Sequence, residues 1–170
     1  LGLNKPISVL NIDAHADLRK TGERHSGNPF SYALKDNYLD KYYVHGLHEG
    51  YNNKYILNQL EENKQLQFNS YESILKNQES INASITAIKN HLTEEKIGLE
   101  IDLDAIANMP SSAQSPSGFS LDYIRTFIYQ LKQHYTFEYV HLCEGAPKNE
   151  AEKLIVGKAL SYLVQDIIKE

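Results

Sequence analysis

Ile7-Ser-Val-Leu-Asn-Ile-Asp-Ala-His-Ala-Asp17 passes from an apolar run straight into ionisable side chains, and Glu100-Ile-Asp-Leu-Asp104 repeats the pattern farther along the chain. In both, what reads as a buried strand stops at acidic or imidazole groups: Asp13, His15 and Asp17 in the first, Asp102 and Asp104 in the second. Ligands of open parallel sheets collect beyond the carboxyl ends of the strands, so two such ends side by side would gather all five groups around one small volume. Four carboxylates held that close repel one another and are costly to desolvate unless a multivalent cation neutralises them. Oxygen ligands with an imidazole and without a thiolate select a hard or borderline ion such as Mn²⁺, and the ligand set is larger than one catalytic ion with an open position needs. The pattern predicts a two-metal site.

Outward from this stretch, strand-like and helix-like segments alternate. Ile7–Ile12 is a continuous apolar run and predicts a central strand. Residues 13–29, with Gly22, Gly27, Asn28 and Pro29 among charges, predict a loop, followed by a short helix over Phe30–Leu34. Further strands are predicted at Tyr42–Leu47, Ile97–Ile101 and Phe137–Leu142, while Leu66–Asn69 is too short to assign. Helices are predicted at Tyr55–Leu60 with Asn52 or Asn53 as cap, and across Tyr71–Leu92 with a break near Asn77. Two more are predicted at Leu121–Leu131 behind Ser120 and at Ala151–Ile168. Residues 105–118, rich in Pro, Ser and Gln, predict a loop. Strands separated by helices make a parallel sheet with helices on both faces, hence an α/β chain forming one domain over 1–170.

Composition sets the outer bounds. A chain of 170 residues can bury one core, and 41% hydrophobic against 23% charged residues is ordinary for a globular domain. A net charge of −5 without a basic block argues against a nucleic-acid partner, which would need a phosphate-neutralising surface. The single cysteine, Cys143, excludes an internal disulfide and a Cys-based zinc cluster, which fits a reducing cytoplasm. In its predicted strand it reads as a small buried apolar residue. No apolar run approaches the roughly 20 residues that span a bilayer, so no membrane partner is expected. His45, His48, His91, His134 and His141 have no partners in sequence and read as structural or exposed.

D-A-H-A-D at 13–17, H-S-G-N-P-F at 25–30, D-L-D at 102–104 and H-L-C-E-G-A-P at 141–147 resemble, in this order, the motifs of the ureohydrolase superfamily, which contains arginase, agmatinase and formimidoylglutamase. The resemblance covers Leu1 to about Pro147 and implies an arginase-like three-layer α/β/α sandwich around a mostly parallel sheet. It implies that Asp13, His15, Asp17, Asp102 and Asp104 hold two Mn²⁺ ions, with Asp17 and Asp104 also orienting the attacking water. It implies further that His25 moves a proton and that Glu144 binds an amidinium or guanidinium head. One family ligand, a histidine in a Gly-rich turn, has no counterpart here, and the resemblance places it before Leu1. The chain is therefore expected to be the C-terminal portion of a longer one that is a homo-oligomer when intact. As it stands it should leave an apolar sheet edge uncovered and one metal position weak.

Arginases and agmatinases continue their D-x-D with Asp-Pro, whereas here Asp104 is followed by Ala-Ile-Ala-Asn. That departure, with D-L-R at 17–19 and E-G-A-P at 144–147, resembles formimidoylglutamases. It implies hydrolysis of a small-molecule amidine, N-formimidoyl-L-glutamate, to glutamate and formamide in histidine catabolism. A dicarboxylate tail needs cationic anchors, for which Arg19 and Arg24 flank the site. The rival readings are an arginase- or agmatinase-type guanidino hydrolase, a non-catalytic metal-binding member of the fold, and a one-zinc amidohydrolase of the histone-deacetylase type. The paired D-A-H-A-D and D-L-D weigh against the last.

Overall fold

The computed structural model describes residues 5–169. Ile7–Ile12 (β1) alternates its side chains between two apolar layers, Leu10 and Ile12 on one side and Val9 on the other, all buried. A strand buried on both faces belongs in the middle of a sheet. β1 accordingly pairs in parallel with Leu39–Leu47 (β2) on one side and with Lys96–Asp102 (β4) on the other. Leu66–Ser70 (β3) and Thr136–Cys143 (β5) form the two edges, giving the all-parallel order β3-β2-β1-β4-β5. The segment too short to assign from sequence is the edge strand β3, recruited because Leu66 and Phe68 continue the apolar layer beside Tyr42 and Val44.

Pro29–Lys35 (α1) and Lys54–Glu62 (α2) cover the Val9 face with Phe30, Ile56 and Leu60. The opposite face carries Tyr71–Asn77 (α3), Ile81–His91 (α4), Leu121–Leu131 (α5) and Glu150–Ile168 (α6), which supply Ile74, Ile88, Phe127 and Leu163. The result is the three-layer α/β/α arrangement expected from the sequence. The break expected near Asn77 falls at Gln78, which closes α3 in the left-handed region at φ 49° before Ser80 caps α4. Asn53 caps α2 by accepting from Ile56 N, whereas Asn52 turns inward to a different task described below.

Two features of this topology place the site. β1 and β4 are neighbours, and the chain winds away from β1 in opposite senses on either side, so their carboxyl ends flank a switch point. The loop after β4 is also pinned across that end. Phe119 N donates to Ala105 O at 2.8 Å, and Ala146 N, in the turn after β5, donates to Pro110 O at 3.0 Å. Beyond the switch point, the outer edge of β5 has no strand partner among the described residues. The exposed positions of the strand are Thr136, Glu138 and His141.

Candidate metal centre

Both strand ends turn by the same device. Asp13 Oδ1 accepts His15 N at 2.7 Å, and Asp102 Oδ1 accepts Asp104 N at 2.7 Å. In each case an aspartate caps the backbone two residues on, which aims the side chain of that second residue into the space between β1 and β4. His15 Nδ1 lies 2.9 Å from Asp104 Oδ2 and 3.6 Å from Asp13 Oδ1. One ligand atom each from Asp13, His15 and Asp104 falls within 4.8 Å of the others. Asp17 and Glu144, at φ 53° and 60°, both occupy the left-handed region, a strain that a folded chain retains where side-chain direction matters. They face a cleft of about 130 Å³ that His15, Asp102, Asp104, Arg19 and Ser112 also line.

The electrostatics of this cluster call for a cation. Burial, reinforced by Asp13 and Asp104, pushes Asp102 up to about 9. Burial and the neighbouring charge of Asp13 push Asp17 up to about 8. Asp13 is raised as well, chiefly by burial. His15 is also pushed up, to about 10, by its hydrogen bonds to Asp104 and Asp13, against the opposing effect of burial. Asp104 Oδ1 is buried without a hydrogen-bond partner among the described residues, and a stranded carboxylate oxygen is costly unless a ligand meets it. Oxygen donors around one imidazole, one of the carboxylates keeping a buried oxygen without a partner among the described residues, fit a divalent ion of the Mn²⁺ type.

The other predicted residues are distributed around this core. Glu144 is in the cleft, and its Oε2 accepts from Ser112 Oγ at 2.5 Å. Arg19 lines the cleft, but Arg24 does not, because its guanidinium lies over the Tyr32 ring, 4.4 Å from the centroid. His25 is exposed on the loop whose Ser26 and Gly27 line the cleft, and its Nδ1 accepts from Gly27 N at 3.1 Å. Buried Asn28 shapes that loop, accepting from His25 N and donating to Lys20 O and Glu23 O. Cys143, half-buried, places Sγ 3.7 Å from Asp102 Oδ2.

Sequence reasoning missed Ser112, Asn52 and His48. Asn52 ties the loop after β1 to the turn after β2, accepting from Ala16 N and donating to Ala14 O and His48 O. His48 is buried rather than incidental, stacked between Tyr51 and Tyr71 with centroids 5.0 and 4.9 Å away, while Tyr51 stacks on His15 at 5.5 Å. Burial depresses the basicity of the His48 ring. His45 is deeply buried and held down to about 4 by desolvation, its ring stacked on Phe127 and its nitrogens on Asn69 and Tyr123.

A family model described as the arginase family matches residues 2–168. No curated protein is matched by the chain. Among solved structures, a hypothetical agmatinase from Burkholderia thailandensis superposes with a TM-score of 0.78 at 18% identity, over 96% of this chain and 50% of its own. Formimidoylglutamase from Bacillus subtilis superposes at 0.80 and 16% identity, over 95% and 53%. A Trypanosoma cruzi formiminoglutamase variant, described with Mn²⁺, superposes at 0.75 and 16%, over 94% and 56%. At these identities the likeness is one of fold, and the chain spans about half the length of these structures.

Proposed function

The chain belongs to the arginase family, and from that premise we propose that it carries the catalytic part of a metal-dependent hydrolase of linear amidines, with N-formimidoyl-L-glutamate as substrate. The observation that carries the reading is the close grouping of Asp13, His15 and Asp104, in which Asp104 keeps a buried Oδ1 without a partner among the described residues. These three residues, with Asp17 and Asp102, would hold two Mn²⁺ ions. When bound, such ions supply Lewis-acid activation of water at neutral pH.

The chain's own residues do the rest. Glu144 binds the cationic amidinium by charge-assisted hydrogen bonds, and the Ser112 hydroxyl fixes which way its carboxylate faces. Asp17 and Asp104 accept hydrogen bonds from the attacking water and orient it. The water oxygen adds to the formimidoyl carbon and gives one proton to the imino nitrogen, which becomes the formamide NH2; as the bond from that carbon to the glutamate nitrogen breaks, the oxygen loses its second proton and closes to the formamide carbonyl, and a proton is delivered to the leaving nitrogen. His25 is the donor of that proton. Arg19, which lines the cleft, anchors a carboxylate of the substrate tail. Arg24, engaged with Tyr32, is left outside that role.

The test is a screen of the Mn²⁺-loaded full-length protein against formimidoylglutamate, arginine and agmatine. Formamide release with the highest kcat/KM is the expected result, and preferential urea release would assign a guanidino substrate instead. His25→Ala should lower kcat by about 10²–10⁴-fold with a smaller change in KM. A raised KM at unchanged kcat would remove the histidine from proton transfer.

A further inference from the structure

Asn11 is a polar side chain in the middle of the central strand, 2% exposed. A buried amide is costly unless its donors and acceptor are met. Here Nδ2 donates to Asp13 Oδ2 at 2.9 Å and to Tyr42 Oη at 2.8 Å. Tyr42, itself fully buried, donates its hydroxyl proton to Ala16 O at 3.0 Å. That commitment has a logical consequence. With its one proton spent on Ala16, the tyrosine oxygen can only accept from Asn11, so it is the amide nitrogen, not the amide oxygen, that faces Asp13. The relay from Ala16 through Tyr42 and Asn11 to Asp13 thus ties two points of the loop after β1 back to β1 and β2.

Both oxygens of Asp13 accept a hydrogen bond, Oδ2 from the Asn11 side chain at 2.9 Å and Oδ1 from His15 N at 2.7 Å, and they face different ways. Oδ2 is turned back to the Asn11 amide inside the sheet, while Oδ1, beside its backbone bond, lies 3.6 Å from the His15 ring nitrogen on the side of the candidate centre. We propose that Asn11, oriented by Tyr42, is a positioning residue that holds Asp13 as a one-oxygen metal ligand. The proposal rests on the metal-centre reading above and adds to it the residues that set the ligand's geometry. Asn11 reaches the metal through Asp13 alone, so its effect must appear in the coordination as well as in the rate. Removing hydrogen-bond partners behind a metal ligand costs about 10–100-fold in affinity.

The experiment uses the full-length protein as wild type, Asn11→Ala, Tyr42→Phe and the double variant. Each is titrated with Mn²⁺ by calorimetry and with Co²⁺ by visible absorption, with a thermal melt in chelator as the record of folding. Asn11→Ala should weaken Mn²⁺ by about 10–100-fold and shift the Co²⁺ ligand-field bands as Asp13 becomes free to bind through both oxygens. Tyr42→Phe, which keeps the ring in the core, should act in the same direction and less strongly. The double variant should be no worse than Asn11→Ala, because the tyrosine acts through the asparagine. Wild-type affinity and an unchanged Co²⁺ spectrum in Asn11→Ala would overturn the proposal and make Asn11 a strand-packing residue. If Asn11→Ala does not fold, the same result in Tyr42→Phe decides. A wild-type protein that binds neither ion would instead sink the metal-centre reading, and the proposal with it.

Discussion

Removing one carboxylate from the cluster should act in opposite directions on metal binding and on the metal-free chain. Asp102→Asn takes away a predicted ligand, so Mn²⁺ affinity and turnover should fall. Without metal, the same change relieves a burden, because Asp102 is pushed up to about 9 by burial and by Asp13 and Asp104. The sign follows from proton counts. An unfolded aspartate releases its proton near 3.8, whereas the folded chain keeps those of Asp17 and Asp102 up to about 8 and 9. Folded His15 likewise keeps its proton up to about 10 against 6.5 when unfolded. Between pH 7 and 9 the folded state therefore binds more protons, and stability must decline as pH rises. Melts in chelator should show the melting temperature dropping across that range, less steeply in Asp102→Asn, and a rise would contradict the arrangement. The five candidate ligands could be picked out in sequence because they fall in two short clusters, 13–17 and 102–104, each at the end of an apolar run. Asn11, Asn52 and Ser112 were not, since their partners Tyr42, Ala16 and Glu144 lie 31, 36 and 32 residues away.

Helices and strands carry the site only as well as their junctions hold, and the junction between β2 and the loop after β4 is the tightest. Gly46 sits at φ 89°, where the pairing of β2 with β3 slips between His45 and Leu47. A Cβ there would stand 2.2 Å from the Phe119 ring. The ring has little room to yield, being stacked on Tyr123 at 4.4 Å and on His45 at 5.0 Å. Gly46→Ala should accordingly cost about 2–4 kcal/mol, combining left-handed backbone strain with overpacking. Urea denaturation measures this directly, and wild-type stability would mean that the Phe119 stack is looser than its geometry. Apolar runs located β1, β2, β4 and β5, and apolar stripes together with capping residues located the helices, because each element buries a face. β3 escaped it because Leu66 and Phe68 are too few to establish a period. Asn52 could not be separated from Asn53 as a cap, because both precede α2 and only tertiary contact tells them apart.

At the scale of the whole molecule the two halves of the sheet are not equally protected. By register, Asn11, Glu100 and His141 form one row across β1, β4 and β5 on the face that α1 and α2 cover. Those helices pack over β1, β2 and β3, and the row becomes progressively more exposed away from them, with His141 at 60% side-chain exposure. The outer edge of β5 adds a line of backbone groups without a strand partner among the described residues, which is a template for pairing with another chain. Strand order was beyond what the sequence could tell, so the position of this edge emerges only from the fold. The protections that edge strands commonly carry are sparse here: β5 holds one carboxylate, Glu138, and no proline or lysine. A net charge of −5 opposes association only over the screening length, about 10 Å at 0.1 M salt and about 3 Å at 1 M. The 170-residue chain should therefore self-associate through β5, more strongly as salt rises. Sedimentation velocity should give a mass above 19.4 kDa that grows with concentration, and Val140→Pro, which stiffens β5 and removes an N–H, should reduce it. A monomer at every concentration and salt level would show that β5 is guarded by something other than a paired neighbour.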